Sequence, residues 1–425
     1  MNFRRNEQQV FGARADGTAL QGGSHVLRWY HTLLLGASLT AIYLNLPVYL
    51  YVLNPSFLPK YIFYGIFILA LPLMLLRRAD LGEYMSSPFV LWALSFLLIN
   101  FIHLQSFSLA GDVGVSNFSD NYGEARRSMV STRSQYILFA VILGFIAYTC
   151  AEKYYLRAFW LIMLVLPAAV LFDFAQPGVL YPVDTDGAVL GRAAAMFINP
   201  TMAGEAILHA FLFACAVTPT RYRVPLFILA GAAILVTFSR SSIIAWVLIF
   251  MILVCMNTLP KSAMFWTALI FAVSLLFVGH FQSYLDSRQD FEDASSNLLS
   301  RLNFFSSFKF DDDSSEERAA VIKAGWDMFL QNPVFGAGAG STHFWLHRGS
   351  THNQLLSLAA EYGLFGVGLW VWLLVILWKG NFFKDRGLQV AMVFLFAFMS
   401  LFTHLMFDGA FNWLATFALI SRRYK

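Results

Sequence analysis

Residues 353–378 read NQLLSLAAEYGLFGVGLWVWLLVILW, and the whole stretch contains a single charged residue, Glu361. A helix of about 20 predominantly apolar residues crosses the hydrocarbon core of a bilayer, so this run is long enough to span it. Backbone polar groups inside a bilayer must be paired within the protein, which a helix achieves by itself. The stretch therefore predicts a membrane-spanning helix.

Comparable apolar runs recur along the rest of the 425 residues. The chain is 58% hydrophobic and 13% charged, and it contains 43 Phe and 11 Trp. An ordinary soluble domain is roughly 45–50% apolar and about 25% charged. The composition therefore excludes a soluble enzyme, a disordered chain and a nucleic-acid-binding protein. We expect an all-α polytopic membrane protein that forms a single integral-membrane domain over 1–425.

Hydropathy predicts about twelve transmembrane helices. They lie near 30–53, 57–76, 87–105, 134–151, 156–173, 199–218, 224–239, 241–259, 262–280, 353–378, 388–405 and 408–421. If the N-terminus is cytoplasmic, more than half of the 29 Lys and Arg residues fall in cytoplasmic segments, as the positive-inside rule requires. Both termini are therefore predicted to be cytoplasmic.

This orientation leaves three longer loops on the outer side of the membrane. They cover 106–133, 174–198 and 281–352. Long loops are usually functional or have structure of their own. In the longest one, apolar residues recur at helical spacing after Ser314, which predicts an amphipathic helix at about 315–331. Asn332-Pro333 ends this helix, because proline cannot continue it.

Several polar residues lie on the outer side of the membrane, at the ends of predicted spans or, for Arg318, at the start of the predicted loop helix, and a polar group near the bilayer needs a physical reason. They are Arg192, Arg240, Arg318, His352, Asn353 and Asp408. Guanidinium groups bind phosphates in bidentate geometry, and imidazole is easily tuned to act as a general base near neutral pH. Taken singly, each arginine is also typical of a side chain that reaches lipid headgroups. Together the residues predict an anion site with a titratable partner on one membrane face.

Residues 336–345 read GAGAGSTHFW and invite comparison with a phosphate-binding glycine loop. No strand precedes them and no Lys-Ser/Thr pair follows, so the comparison is weak. We predict instead a turn that returns the long loop to the bilayer. His343, His347 and His352 match no common zinc spacing, so we expect neither a metal site nor a cofactor.

A set of short motifs lies between 190 and 370. They are Gly191-Arg192, Phe197-Ile198-Asn199-Pro200, Ser239-Arg240, Arg318, Trp326, Asn332-Pro333, Gly336, Gly338, Gly340, His352-Asn353 and EYGLFG at 361–366. These motifs resemble the signature shared by O-antigen ligases and related surface-polysaccharide polymerases. Thr201 departs from the family pattern, which often has Asn at this position.

The resemblance implies a metal-independent C-type glycosyltransferase, an O-antigen ligase, in the bacterial inner membrane, with its active site facing the periplasm. The donor would be a glycan on undecaprenyl pyrophosphate, and the acceptor would be the lipid A core. The three arginines would bind the pyrophosphate, and His352 would activate the acceptor hydroxyl. By this resemblance, the catalytic residues are His352 and Arg318, and the substrate-binding residues are Arg192, Arg240 and Asn353. Asp408 joins the substrate-binding residues because it lies near the outer end of the last predicted span. The apolar helix bundle would hold the polyprenyl tail at a lateral opening. Membrane lipid is a further partner, and nucleic acid is not.

Two other functions stay open at this point. A surface-polysaccharide polymerase would join lipid-linked repeat units instead of using the lipid A core. A lipid-linked glycan flippase or transporter would carry paired charges and broken helices near the membrane midplane. The charged residues of this sequence lie at the outer ends of the spans, which favours a transferase.

Overall fold

The computed structural model describes residues 25–106, 122–150, 152–265, 313–345 and 350–420, apart from positions 183, 184, 186, 190, 263, 264, 381 and 410. These residues form helices and contain no strand, so the predicted all-α class is confirmed for this part of the chain. The helices are α1 His25–Tyr43, α2 Leu46–Leu53, α3 Lys60–Leu76, α4 Arg78–Met85, α5 Pro88–Ser106, α6 Tyr122–Thr149, α7 Glu152–Ala175, α8 Pro200–Val217, α9 Thr220–Val236, α10 Arg240–Cys255, α11 Asp313–Gln331, α12 Gln354–Lys379, α13 Arg386–Met399 and α14 Phe411–Ile420. A short 3-10 helix covers Ala195–Phe197.

Each predicted span overlaps a helix except 262–280, which lies almost entirely outside the described residues. Within the described part, five helices are long and apolar enough to cross a membrane. Up to seven spans result if each of two bent helix pairs counts as one, namely α1 with α2 at 61° and α3 with α4 at 105°. The chain thus has the helices of a membrane protein, and the number twelve stays a prediction.

Helix α5 shows how such a helix divides its two faces. Its buried face carries Phe89, Trp92 and Phe96, which have no exposed surface. Its exposed face is also apolar and carries Leu91, Leu94, Leu98, Phe101 and Ile102. The exposed residues recur at three- and four-residue intervals, which places them on one side of the helix. Such a contiguous apolar surface is suited to contact with lipid.

Helix α6 begins earlier than the hydropathy pattern predicts. Residues 122–133 were predicted to belong to an outer loop, yet they form the first turns of α6. Arg126 and Arg133 lie on these turns, and both side chains are buried against other segments. The span predicted from hydropathy therefore begins only where the apolar run begins. The helix itself starts earlier, because tertiary contacts stabilise its polar first turns.

Helix α11 covers the amphipathic helix that was predicted at about 315–331. It ends at Gln331, directly before Asn332-Pro333. Val321 and Met328 are buried and pack with Ala337, Trp345 and Ala360. The opposite face of α11 is exposed to solvent or lipid, so the helix lies against the bundle along one side only.

Helix α12 is broken within its first half. Gly363 has φ 62° and ψ −144°, which is not helical, and the helix resumes after it. The glycine-rich turn after α11 fills the gap, because the N–H groups of Ala337 and Gly338 donate to the carbonyl oxygens of Ala360 and Glu361 at 2.8 and 3.0 Å. The turn thus satisfies backbone acceptors that the break would otherwise leave unpaired.

Gly363→Ala is expected to lower the free energy of unfolding by about 1–3 kcal/mol, the typical cost of a strained backbone conformation. A Cβ at this position would also collide with the carbonyl group of Val334. Gly368→Ala on the same helix is the control, because a Cβ there meets nothing within 4 Å. Thermal unfolding of the purified protein measures both variants. Equal stability of the two would show that the break at Gly363 is not required.

Contacts between helices define two ends of the bundle. Glu205, near the start of α8, accepts a hydrogen bond from Trp413 Nε1, near the start of α14, at 2.7 Å. Gln354, the first residue of α12, accepts a hydrogen bond from the N–H of Met406, shortly before α14. A Cβ on Gly380, just after α12, would touch Ile420 at the end of α14. Helices α8, α12 and α14 therefore run in the same direction, and their starts form what we call the site end.

The opposite end is held together by an ion pair. Arg223, at the start of α9, lies 2.7 Å from Asp385, just before α13. Thr258, which follows α10, donates a hydrogen bond to the same carboxylate at 2.6 Å. All three residues belong to segments whose basic residues predict a cytoplasmic location. The structure therefore brings together, at one end of the bundle, three segments that the sequence predicts to be cytoplasmic.

Candidate functional site

Arg192 and Arg240 lie on two loops that are fastened together at the site end. Arg192 Nε donates to the carbonyl oxygen of Thr237 at 2.9 Å, just after α9. The N–H of Ala193 donates to the carbonyl oxygen of Val236 at 3.2 Å. Arg240 follows as the first residue of α10. These bonds hold the Arg192 loop against the residues just before Arg240, and we call the two arginines the arginine pair.

Asp173 holds the loop that carries Arg192. Its Oδ2 atom accepts hydrogen bonds from the N–H groups of Ala194 and Ala195, both at 2.9 Å, and from Tyr181 Oη at 3.2 Å. The Asp173 side chain is buried near the end of α7. Asp173 is not among the site residues predicted from the sequence. Its only signal was a carboxylate within the apolar run LFDFA at 171–175.

A small pocket, open to the surface, lies beside this loop. Arg192 lines it together with Gly191, Asp173 and Tyr181. Neither His352 nor Arg318 lines this pocket. The pocket therefore brings together one guanidinium group and one carboxylate, and it is not by itself the complete site that the sequence predicts.

The start of α8 joins the arginine pair through short polar side chains. Asn199 caps α8, because its Oδ1 atom accepts the N–H of Thr201 at 2.9 Å. Ser239 Oγ donates to Thr201 Oγ1 at 3.3 Å. Thr201 is the position at which this chain departs from the family pattern. Its hydroxyl therefore makes a direct link to the Ser239-Arg240 motif.

His352 lies in a strained turn immediately before α12. Its φ is 50°, a left-handed conformation that is uncommon outside glycine. The Thr351 hydroxyl supports the turn by donating to the carbonyl oxygen of Asn353 at 2.9 Å. Strained residues of this kind occur often at functional sites. The turn fixes the direction in which the imidazole leaves the backbone.

Arg318 lies close enough to His352 to change its acid–base behaviour. Burial lowers the pKa of His352 below its ordinary value, and the Arg318 guanidinium lowers it further, while Glu317 has the opposite effect. At neutral pH the imidazole is therefore uncharged and can accept a proton. We call these two residues the His352–Arg318 pair.

Asn353 and Asp408, which were predicted to bind substrate, are both engaged in contacts within the protein. Asn353 caps α12, because its Oδ1 atom accepts the N–H of Leu356 at 2.9 Å. Asp408 accepts two hydrogen bonds from Arg133, from Nε at 2.5 Å and from Nη2 at 2.8 Å. The geometry gives Asn353 a role in starting α12, and it gives Asp408 a role in holding Arg133.

Arg133 is the centre of a buried polar cluster that the sequence analysis missed. In addition to Asp408, its Nη1 atom donates to Glu361 Oε2 and to Tyr362 Oη, both at 2.7 Å. Glu361 also accepts a hydrogen bond from the Thr342 hydroxyl at 2.6 Å. The Arg133 and Glu361 side chains are 2% and 1% exposed. A buried charge needs such partners, and the predicted outer loop 106–133 had hidden this one.

Three histidines, of which His352 is the first, connect the His352–Arg318 pair to this cluster. The ring centroid of His352 lies 5.1 Å from that of His404, and the His404 centroid lies 5.6 Å from that of His343. His343 Nε2 lies 3.5 Å from Asp408 Oδ2. His404 and His343 were not selected as site residues. They come from the segment before α14 and from the glycine-rich turn, which only the fold brings together.

The structure thus places the predicted residues at one end of the bundle, in two groups. The arginine pair adjoins the start of α8 through Thr201. The His352–Arg318 pair and Asn353 adjoin the start of α12, and Asp408 precedes α14. Because the starts of α8, α12 and α14 form the site end, all six predicted residues belong to it. The structure gives contacts within each group, and a shared cavity that joins the groups is a proposal.

Residues 225–371 match a family model described as O-antigen ligase. The matched segment contains four of the six predicted site residues, Arg240, Arg318, His352 and Asn353. Arg192 and Asp408 lie outside it. Comparison with curated protein sequences gives no match.

Proposed function

We propose that the chain belongs to the O-antigen ligase superfamily, whose family model matches residues 225–371, and that it is an inverting glycosyltransferase of the inner membrane. Its donor is a glycan on undecaprenyl pyrophosphate, and its acceptor is the lipid A core. The reaction takes place at the periplasmic face, both termini are cytoplasmic, and the chain crosses the membrane twelve times. The site end is the periplasmic end in this scheme.

The observation that carries the proposal is the pairing of His352 with Arg318. Partial burial and the neighbouring guanidinium group both lower the pKa of the His352 imidazole, which favours the neutral form that a general base needs. The guanidinium itself is a bidentate donor for phosphate oxygens. The pair therefore combines a proton acceptor with an anion-binding group at one place.

The transfer needs both functions in the same step. His352 accepts the proton of the acceptor hydroxyl as the acceptor oxygen forms a bond to the anomeric carbon of the donor glycan. The bond between that carbon and the pyrophosphate oxygen breaks, and undecaprenyl pyrophosphate leaves with the electron pair. Attack from the side opposite the leaving group inverts the anomeric centre.

The leaving pyrophosphate gains negative charge as its bond to the sugar breaks. Preorganised guanidinium groups stabilise such a developing charge more strongly in the transition state than in the ground state. In the proposal Arg318 and the arginine pair supply these groups, so no metal ion is needed. The pyrophosphate already activates the sugar, so no other energy source is needed.

Transfer of a lipid-linked glycan by the purified protein tests this proposal. The protein is reconstituted in liposomes with an undecaprenyl-pyrophosphate-linked glycan, with and without lipid A core. We expect a product that joins glycan and core, in the presence of EDTA as well as in its absence. No product from any lipid-linked glycan would contradict the proposal. Loss of product in EDTA that one metal restores would contradict metal independence.

The same assay separates the ligase from the polymerase that shares its superfamily. A polymerase would lengthen the lipid-linked glycan when the lipid A core is absent, because its acceptor is a second lipid-linked glycan. A ligase would form no product under that condition. Product length with and without core, measured by gel electrophoresis, therefore decides between the two.

Two structural features favour transport as a second candidate. Helix α12 is broken at Gly363, and Arg133 forms buried ion pairs with Glu361 and Asp408. Broken helices and buried charge pairs are frequent in transporters. A flippase would move the lipid-linked glycan across liposomes without forming a glycosidic bond. Accessibility of the glycan to an external lectin, measured without any acceptor, tests this alternative.

A further inference from the structure

The route of the proton after it reaches His352 is a question that the proposed function raises. Protonated His352 would carry a positive charge next to Arg318, whose guanidinium already lowers the pKa of this imidazole. Two like charges at close range are unfavourable in a buried site. The imidazole therefore has to lose its proton before the next reaction.

Two further imidazoles extend from His352 into the protein. The His352 and His404 ring centroids are 5.1 Å apart, and the His404 and His343 centroids are 5.6 Å apart. At these separations a proton passes between neighbouring rings directly or through one bridging water. An imidazole can accept a proton on one nitrogen and release one from the other.

The central ring of such a path has a nitrogen that is not engaged elsewhere. His404 Nδ1 is buried and has no hydrogen-bond partner in the part of the chain that the structure describes, whereas His343 Nε2 faces the Asp408 carboxylate. Buried polar atoms are nearly always paired, so an unpaired one calls for an explanation. Exchange of a proton with a neighbouring imidazole provides this explanation for His404 Nδ1.

The far end of the path suits a positive charge. His343 Nε2 lies 3.5 Å from Asp408 Oδ2, which is an ion-pair distance. Arg133 holds the Asp408 carboxylate through two hydrogen bonds, so the carboxylate keeps its position when His343 is charged. The His343 side chain is 18% exposed, so water reaches it. A proton on His343 is therefore both stabilised and able to leave.

We infer that His404 and His343 form a relay that carries the acceptor's proton from His352 to water. The inference rests on the proposed function. The N–H bond on His352 breaks as one forms on His404, the same exchange moves the proton to His343, and water finally takes it. His404 and His343 are positioning residues in this scheme, because they touch neither the sugar nor the pyrophosphate.

A metal ion is the other ligand that three histidines suggest. Within the described residues, no group of three His, Cys, Asp or Glu side chains has an arrangement that would hold one. The charged and titratable groups around His404 are His343, His352, Asp408 and Arg133. One carboxylate among them, held by an arginine, matches a proton path better than a cation site.

The test is the rate of His404→Phe in the reconstituted transfer assay. The variant keeps a ring of similar size and removes both nitrogens. We expect kcat to fall about a hundredfold, the lower end of what proton-transfer groups typically contribute. The KM of the lipid-linked donor is expected to stay unchanged. Adding imidazole to the buffer is expected to restore part of the rate of the variant and to leave the wild-type rate unaffected.

The double variant His404→Phe with His343→Phe distinguishes a relay from two structural roles. Residues on one path act as a unit, so the double variant is expected to be no slower than the slower single variant. His31→Asn serves as the control, because His31 is a buried histidine of α1 that contacts the carbonyl oxygen of Ile146. This control is expected to show no response to imidazole.

The outcomes separate the relay from the proposed function. If the wild-type protein transfers no glycan, the proposed function fails and the relay fails with it. If the wild-type protein is active and His404→Phe has the same kcat, the relay alone is overturned. A slower His404→Phe variant that imidazole does not rescue would also overturn it, since that result indicates a structural defect.

Discussion

Replacing His352 with alanine is expected to lower kcat for glycan transfer by about 10²–10⁴-fold, the typical contribution of a general base. Burial and Arg318 keep the imidazole of His352 neutral, and alanine offers no atom that could accept the proton. The KM of the donor is expected to change little, because the arginines bind the pyrophosphate. Steady-state rates of the reconstituted protein measure both quantities.

The left-handed backbone of His352 requires a second variant as a control. Asparagine tolerates this conformation better than alanine does, and it cannot act as a base near neutral pH. His352→Asn is therefore expected to match the stability of the wild-type protein and the low rate of His352→Ala. Full activity in His352→Asn would remove the imidazole from the mechanism.

Arg133→Ala is expected to lower the free energy of unfolding by about 3–5 kcal/mol, the usual effect of removing one partner from a buried ion pair. Arg133 pairs with both Glu361 and Asp408, and its side chain is 2% exposed. Its loss leaves two carboxylates close to each other without a counter-ion. Unfolding of the purified protein by heat or denaturant measures the effect.

Arg127 provides the matched control for Arg133. It lies on the same helix, and its side chain is exposed. Arg127→Ala is expected to change the free energy of unfolding by less than about 0.5 kcal/mol, as is usual for surface positions. If Arg133→Ala were equally mild, the buried cluster would have no role in holding α6, α12 and the segment before α14 together.

Hydropathy locates most of the helices of this chain, because apolar runs are a strong signal for helices in a membrane protein. It fails where a helix continues past its apolar part. The first turns of α6 are polar and were predicted as a loop, yet Arg126 and Arg133 are buried there. Their partners are Ala339 and the cluster around Glu361, which lie more than 200 residues away in sequence. A local pattern contains no information about such partners.

The candidate site shows the same division. Motif resemblance selected Arg240, Arg318 and His352, which lie within the segment that matches the family. It assigned Asn353 to substrate, whereas the structure uses its side chain to cap α12. It could not select His404 or His343, because each is an isolated histidine in sequence. Only the contact of three separate segments brings them next to His352.

Binding of undecaprenyl pyrophosphate tests the central claim that the arginine pair and the His352–Arg318 pair belong to one pyrophosphate-binding site. The purified protein is titrated with undecaprenyl pyrophosphate, and the same titration is made with Arg240→Ala and with Arg318→Ala. Arg221→Ala and Lys323→Ala are the controls, because both side chains are exposed and neither residue belongs to the predicted site.

We predict that Arg240→Ala and Arg318→Ala each raise the Kd by about tenfold or more, since a hydrogen bond to a charged group contributes about 1.5–3 kcal/mol. The two controls are predicted to bind as the wild-type protein does. An unchanged Kd in either site variant would contradict the claim, because the two arginines would then not face the same ligand.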